Sequence, residues 1–177
     1  ADIYAYDLTT APSYYNFGDY TYSNFDGNNK YVYYQEGIYV GYRYYETAAA
    51  DGYIDYDTTV QFPFGYGLSY TNFDWEVEKT ELGDIGGTIN IDVKVTNTGD
   101  VAGKDVVELY YAAPYDPAEE IEKSSVVLGA FEKTNTLKPG ESETVTLTMN
   151  VDDMASYDYK NNKCYVLSAG DYEFRLQ

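Results

Sequence analysis

The chain has 177 residues, of which 30 are Asp or Glu and 11 Lys or Arg, giving a formal charge of -19 with no histidine. That charge excludes nucleic acid and anionic lipid surfaces as natural partners. The missing histidines remove the commonest general base, the Ser–His and Cys–His nucleophile pairs and the commonest transition-metal ligand, so any chemistry would have to run on carboxylates.

No apolar run approaches the length of a transmembrane helix, and the first residues lack the charged-then-apolar pattern of a signal peptide. The start therefore reads as that of a mature form or an internal segment. Cys164 is the single cysteine, so no intrachain disulfide forms.

The first 70 residues hold 17 of the 24 tyrosines and few aliphatics. They show neither a sustained 3.6-residue period nor long alternation. The expectation is an extended, irregular arm that lacks a core of its own and lies against another domain. Ala48-Ala49-Ala50 is read as one helical turn or a loop. Tyrosine's flat, amphipathic ring also suits stacking on a sugar, so carbohydrate is a second possible partner of the arm beside interdomain packing, which is favoured.

Phe62-Pro63-Phe64-Gly65-Tyr66-Gly67-Leu68-Ser69-Tyr70 concentrates residues with narrow backbone requirements. Pro63 fixes its own φ and pushes Phe62 toward extended backbone, and the glycines permit turn geometry. The stretch reads as a rigid hinge whose aromatics need burial.

From Phe73 the period becomes two, the mark of half-buried strands. Phe73, Trp75 and Val77 alternate with acids; Ile89, Ile91, Val93 and Val95 follow, then Val145, Leu147, Met149 and Val151, and finally Tyr172, Phe174 and Leu176. With 106–111, 126–133 and 165–167 added, the reading is about seven strands separated by turn residues such as Asn97-Thr98-Gly99-Asp100 and Pro139-Gly140. The fold class expected is all-β: an antiparallel fibronectin-III or immunoglobulin-like sandwich over residues 73–177, preceded by an arm and linker over 1–72.

The hinge and its neighbours resemble the C-terminal region of family-3 glycoside hydrolases, which include many β-glucosidases. Residues 34–47 are similar to the segment leaving that family's α/β sandwich domain. Residues 93–110, from Val93 to Tyr110, and Leu137-Lys138-Pro139-Gly140-Glu141 resemble its fibronectin-III-like domain. The resemblance covers roughly residues 31 to 177, and implies a parent enzyme whose nucleophile and acid/base carboxylates lie in other domains. A (β/α)8 barrel takes about 250 residues, more than this chain has. The expected role is a non-catalytic accessory portion, with the catalytic domains of the parent as its partner. No catalytic, cofactor-binding or metal-ligating residue is assigned, and no cofactor is expected.

Several residues still admit a sharper reading. Asp152-Asp153 and Asp55-Tyr56-Asp57 offer oxygens to Ca²⁺, but no loop has the ligand ladder of a calcium hand. Solvated surface, or a corner in which an acid or Ser156 caps a turn and Tyr157 tucks inward, is the favoured reading. Trp75 is expected in the core, and Cys164 is expected as a buried small hydrophobe.

Overall fold

A computed structural model describes residues 22–23, 30–31 and 37–177. The chain divides between Gln61 and Phe62 into two units.

In the first unit, β1 (Tyr22–Ser23) pairs antiparallel with β2 (Lys30–Tyr31). Two helices follow, α1 (Tyr42–Ala50) and α2 (Tyr56–Thr59). Tyr44, Thr47 and Ala48 are the buried residues of α1, spaced i, i+3, i+4 on one face. Thr47 returns its hydroxyl to the Arg43 carbonyl at 2.6 Å. Asp55 starts α2 by accepting from the Thr58 amide at 3.1 Å, the usual N-cap bond.

The reading of Ala48-Ala49-Ala50 as one helical turn or a loop is corrected here. Ala48-Ala49-Ala50 closes a nine-residue helix. Its buried stripe is built from Tyr, Thr and Ala, so an aliphatic period could not reveal it. Residues 1–21, 24–29 and 32–36 of the arm lie outside the described residues, among them Tyr34-Gln35-Glu36 of the first resembling segment and several of the rings offered for sugar stacking.

The second unit is built from two three-stranded antiparallel sheets. One has the order β3-β4-β7, with β3 (Phe73–Glu81), β4 (Thr88–Asn97) and β7 (Ser142–Asn150). The other has the order β10-β5-β6, with β5 (Val106–Ala112), β6 (Val127–Lys133) and β10 (Glu173–Leu176). A short ribbon pairs β8 (Ser156–Asp158) with β9 (Cys164–Val166).

The two sheets meet through their alternate side chains. Ile89, Ile91, Val93 and Val95 of β4 and Val145, Leu147 and Met149 of β7 form one core with Val107, Leu109 and Tyr111 of β5. Phe174 and Leu176 of β10 pack against it. This is the two-sheet sandwich that period-two patterning calls for.

Register breaks once in each sheet. On β6 the pairing shifts between Leu109 and Tyr110 of its partner, leaving Gly129 as the extra residue. A Cβ on Gly129 would come within 2.7 Å of the Met149 sulfur, so the bulge takes the residue without one. On β3 the pairing shifts between Val77 and Lys79, beyond which the strand turns polar.

Candidate interaction surface

The hinge is fastened to the sandwich from below. The Tyr66 amide bonds the Pro63 carbonyl at 3.1 Å, closing a turn in which Gly65 takes φ 80. Only glycine adopts that angle without strain. A Cβ at Gly65 would also meet Glu108 Oε2 at 2.5 Å. The Glu108 carboxylate accepts from the Tyr110 hydroxyl at 2.6 Å, and the Glu108 backbone exchanges two hydrogen bonds with Gln177. Gln177 in turn donates its side-chain amide to the Phe64 carbonyl at 3.2 Å. The turn at 63–66 therefore rests on β5 and on the end of β10.

The other end of the hinge is tied through Asn97, which is fully buried. Its Nδ2 donates to the carbonyls of Val101 and Leu137, both at 2.8 Å. Its Oδ1 accepts from the Thr71 hydroxyl at 2.6 Å and from the Gly99 amide at 3.1 Å. The Thr98 amide adds a bond to the Asn72 carbonyl at 2.8 Å. All four side-chain bonding positions are thus satisfied, and they join the hinge, the turn after β4 and the segment at Leu137.

Between these anchors the rings are not buried in this chain. Phe62, Phe64, Tyr66, Leu68 and Tyr70 are all exposed. Phe62 and Tyr66 contact each other with ring centroids 5.1 Å apart. The expectation of an aromatic-packed hinge is corrected accordingly: backbone anchors, rather than ring burial, hold it.

Trp75 is corrected too. It is register partner to buried Val95 and shares its face, but β3 is an edge strand and the indole remains 37% exposed. Its Nε1 donates to Asp105 Oδ2 at 2.7 Å. Cys164 is exposed rather than buried, because it lies on the short β8–β9 ribbon instead of in either sheet. Tyr157 on the same ribbon is also exposed, against Tyr165 across the pair at 5.2 Å, so it does not tuck inward.

The acids serve local structure. Asp152 accepts from the Gly86 amide at 3.0 Å, and Asp153 from the Asn150 side chain at 2.8 Å. Among the described residues no group of three or more His, Cys, Asp or Glu side chains is placed to hold a metal ion. Asp158 accepts the amides of Lys160, Asn161 and Asn162, and those bonds, led by Asn161 and Asn162, hold its carboxyl below the ordinary range.

Among the described residues, Lys123 is a buried cation. Lys123 Nζ reaches the Pro114 carbonyl at 2.6 Å, Ser168 Oγ at 2.7 Å and Glu119 Oε2 at 3.1 Å. Ser168 donates to the same Glu119 oxygen at 2.8 Å. The hydrogen bond from Ser168 and then that from Lys123 lower the Glu119 carboxyl. The arrangement ties the loop after β5 to the turn before β10.

Comparison with known proteins fits this geometry. Residues 105–177 match the fibronectin type III-like domain. The chain is 41% identical to β-glucosidase A of Butyrivibrio fibrisolvens, over 86% of this chain and 19% of that protein. It is also 41% identical to a β-glucosidase of Ruminococcus albus, over 98% of this chain and 16% of that protein. Among solved structures, a β-glucosidase from Paenibacillus barengoltzii aligns at 49% identity and TM-score 0.68, covering 79% of this chain and 15% of that one. β-Glucosidase 3B from Thermotoga neapolitana aligns at 37% and TM-score 0.69, covering 96% and 21%.

The chain belongs to the C-terminal region of the family-3 glycoside hydrolases. It spans less than a fifth of the length of the two relatives named. In this glycosidase region the fibronectin type III-like match begins just before β5. Sequence reasoning had no signal for Asn97 as a four-bond hub, since its Asn-Thr-Gly-Asp context reads simply as a turn. Nor did it single out Glu108 or Gln177, whose roles depend on three distant segments meeting.

Proposed function

We propose that this chain is the non-catalytic C-terminal portion of a β-glucosidase that cleaves terminal β-linked sugars with two carboxylates held in other domains. Residues 1–72 serve as the end of an α/β sandwich domain and a linker, and 73–177 as the sandwich that braces the catalytic domains. The observation that carries this is the match along nearly the whole chain to a small share of much longer β-glucosidases. The absence of histidine and the use of Asp55, Asp152, Asp153 and Asp158 as hydrogen-bond acceptors within the fold support it.

The test is an assay of the 177-residue chain on an aryl β-glucoside. No turnover is expected. Turnover that disappears when one carboxylate within the chain is replaced would overturn the reading. Bracing is tested by removing residues 73–177 from the full-length protein, which should lower the unfolding temperature of what remains. Carbohydrate is the arm's second proposed partner, through its tyrosines, and titration of the chain with oligosaccharides separates this role from packing.

A further inference from the structure

Residues 58–73 carry no charged side chain, the longest such run in a chain where 23% of residues are charged. The middle of this run is not lost in a core. Leu68 is 90% exposed and Tyr70 is 102% exposed, values at which a side chain touches almost nothing of its own chain. Yet the backbone on both sides is fixed, by the Pro63–Tyr66 turn against Glu108 and Gln177 and by the Thr71–Asn97 bond at 2.6 Å. A free loop would gain nothing from such fastening. Pre-ordering a strip before it meets a partner removes ordering entropy from the association.

We propose that the strip from Phe62 to Tyr70 is a docking ridge, with Leu68 and Tyr70 as its anchors, and that its occupant is the catalytic portion of the same longer protein. This rests on the bracing role proposed above and names the surface that performs it. Three observations select that occupant. The matched relatives hold more than four-fifths of their length outside the aligned region, so a parent of their length would carry a large body on the same polypeptide as the ridge. The ridge is uncharged in a chain of net charge -19, so its contact is apolar rather than electrostatic. A fixed leucine and tyrosine presented together are the kind of anchor that fills sockets at the centre of an interface. The ring pair Phe62–Tyr66 flanks them on the anchored side.

The test compares Leu68→Asp/Tyr70→Ser with Leu82→Asp/Ile85→Asp, which changes two other exposed apolar residues of the sandwich unit. Each is made in the 177-residue chain and in the full-length protein. In the isolated chain both doubles should melt like wild type, because none of the four side chains is buried there. In the full-length protein the ridge double should be cut between its domains by a nonspecific protease at least ~10-fold faster, with the control double unchanged.

A ridge double that leaves full-length proteolysis at the wild-type rate overturns the ridge. If removal of residues 73–177 still destabilises the protein, the bracing role survives that loss; if removal has no effect, both fail. Equal acceleration by the control double, or a lowered melting temperature of the isolated chain with the ridge double, also overturns the ridge.

Discussion

β3 and β4 lie side by side in one sheet and carry the same alternation, yet only β4 is covered. Val77 and Val93 are register partners on one face; Val93 is 0% exposed and Val77 is 52% exposed. At the end of the same ladder the contrast inverts, because Phe73 pairs with Asn97 and it is the polar Asn97 that is sealed completely. Alternation thus tells which face a side chain takes. Whether that face is covered depends on the opposite sheet, which a strand's own sequence does not contain.

The inverted pair gives the largest expected effect. Asn97→Ala leaves the Thr71 hydroxyl, the Gly99 amide and the Val101 carbonyl without their partner, and should cost about 2–4 kcal/mol. Urea unfolding of the 177-residue chain measures it. A loss below that of an exposed-site control would mean the hub is dispensable, and burial on β4 would then be a matter of apolar packing alone.

Next comes the valine pair itself. Val93→Ala should cost about 2–3 kcal/mol, from lost transfer energy plus a cavity between the sheets. Val77→Ala, facing the same way one strand over, should cost under about 1 kcal/mol because half of that side chain already meets water. Equal losses would show that β3 is covered in solution after all.

Trp75 sharpens the contrast further, since its tie to the sandwich is polar. Trp75→Phe keeps a ring on β3 but removes the donor to Asp105, and should cost about 1 kcal/mol. The same substitution made over Asp105→Ala should be nearly silent. If it is not, ring packing and not the hydrogen bond is what holds the edge strand.

These pairs also explain what the sequence could disclose. The strands of both sheets were legible because each buries one face against a single core, so apolar residues recur every second position. The turn at Asn97-Thr98-Gly99-Asp100 was legible from residue type, but not its central amide, whose partners come from Thr71, Val101 and Leu137. Trp75 and Cys164 were misplaced for one reason: local pattern cannot see an edge strand or a two-stranded ribbon. α1 was missed because Tyr44, Thr47 and Ala48 form its stripe without an aliphatic residue. The hinge was singled out by Pro63, Gly65 and Gly67. That its rings point away from the core follows from Glu108 and Gln177, which no neighbouring residue announces.

The smallest effect concerns pH, and it separates the loops from the strands. Glu119 is held below its ordinary value of 4.5 by the hydrogen bonds from Ser168 and Lys123. In the folded state it gives up its proton more readily than in the unfolded chain. The stability this contributes is therefore fully present above about 4.5, its unfolded value, and is lost as pH falls through the lower folded value. Protonating Glu119 removes the carboxylate from the buried Lys123 ammonium and leaves it the Pro114 carbonyl and Ser168. Asp158 and Glu141 titrate with the same sign, through amide bonds from Asn161 and from Lys138 respectively. Stability should accordingly decline from pH 5 to pH 3. Glu119→Gln should be less stable than wild type at pH 7 and show a shallower decline, because one of the three groups no longer titrates. Val93→Ala should shift the whole curve down without changing its slope, since no proton is taken up at that strand. Parallel acid limbs for wild type and Glu119→Gln would show that the Lys123 knot does not sense protons, and that the loops and the strands answer to pH alike.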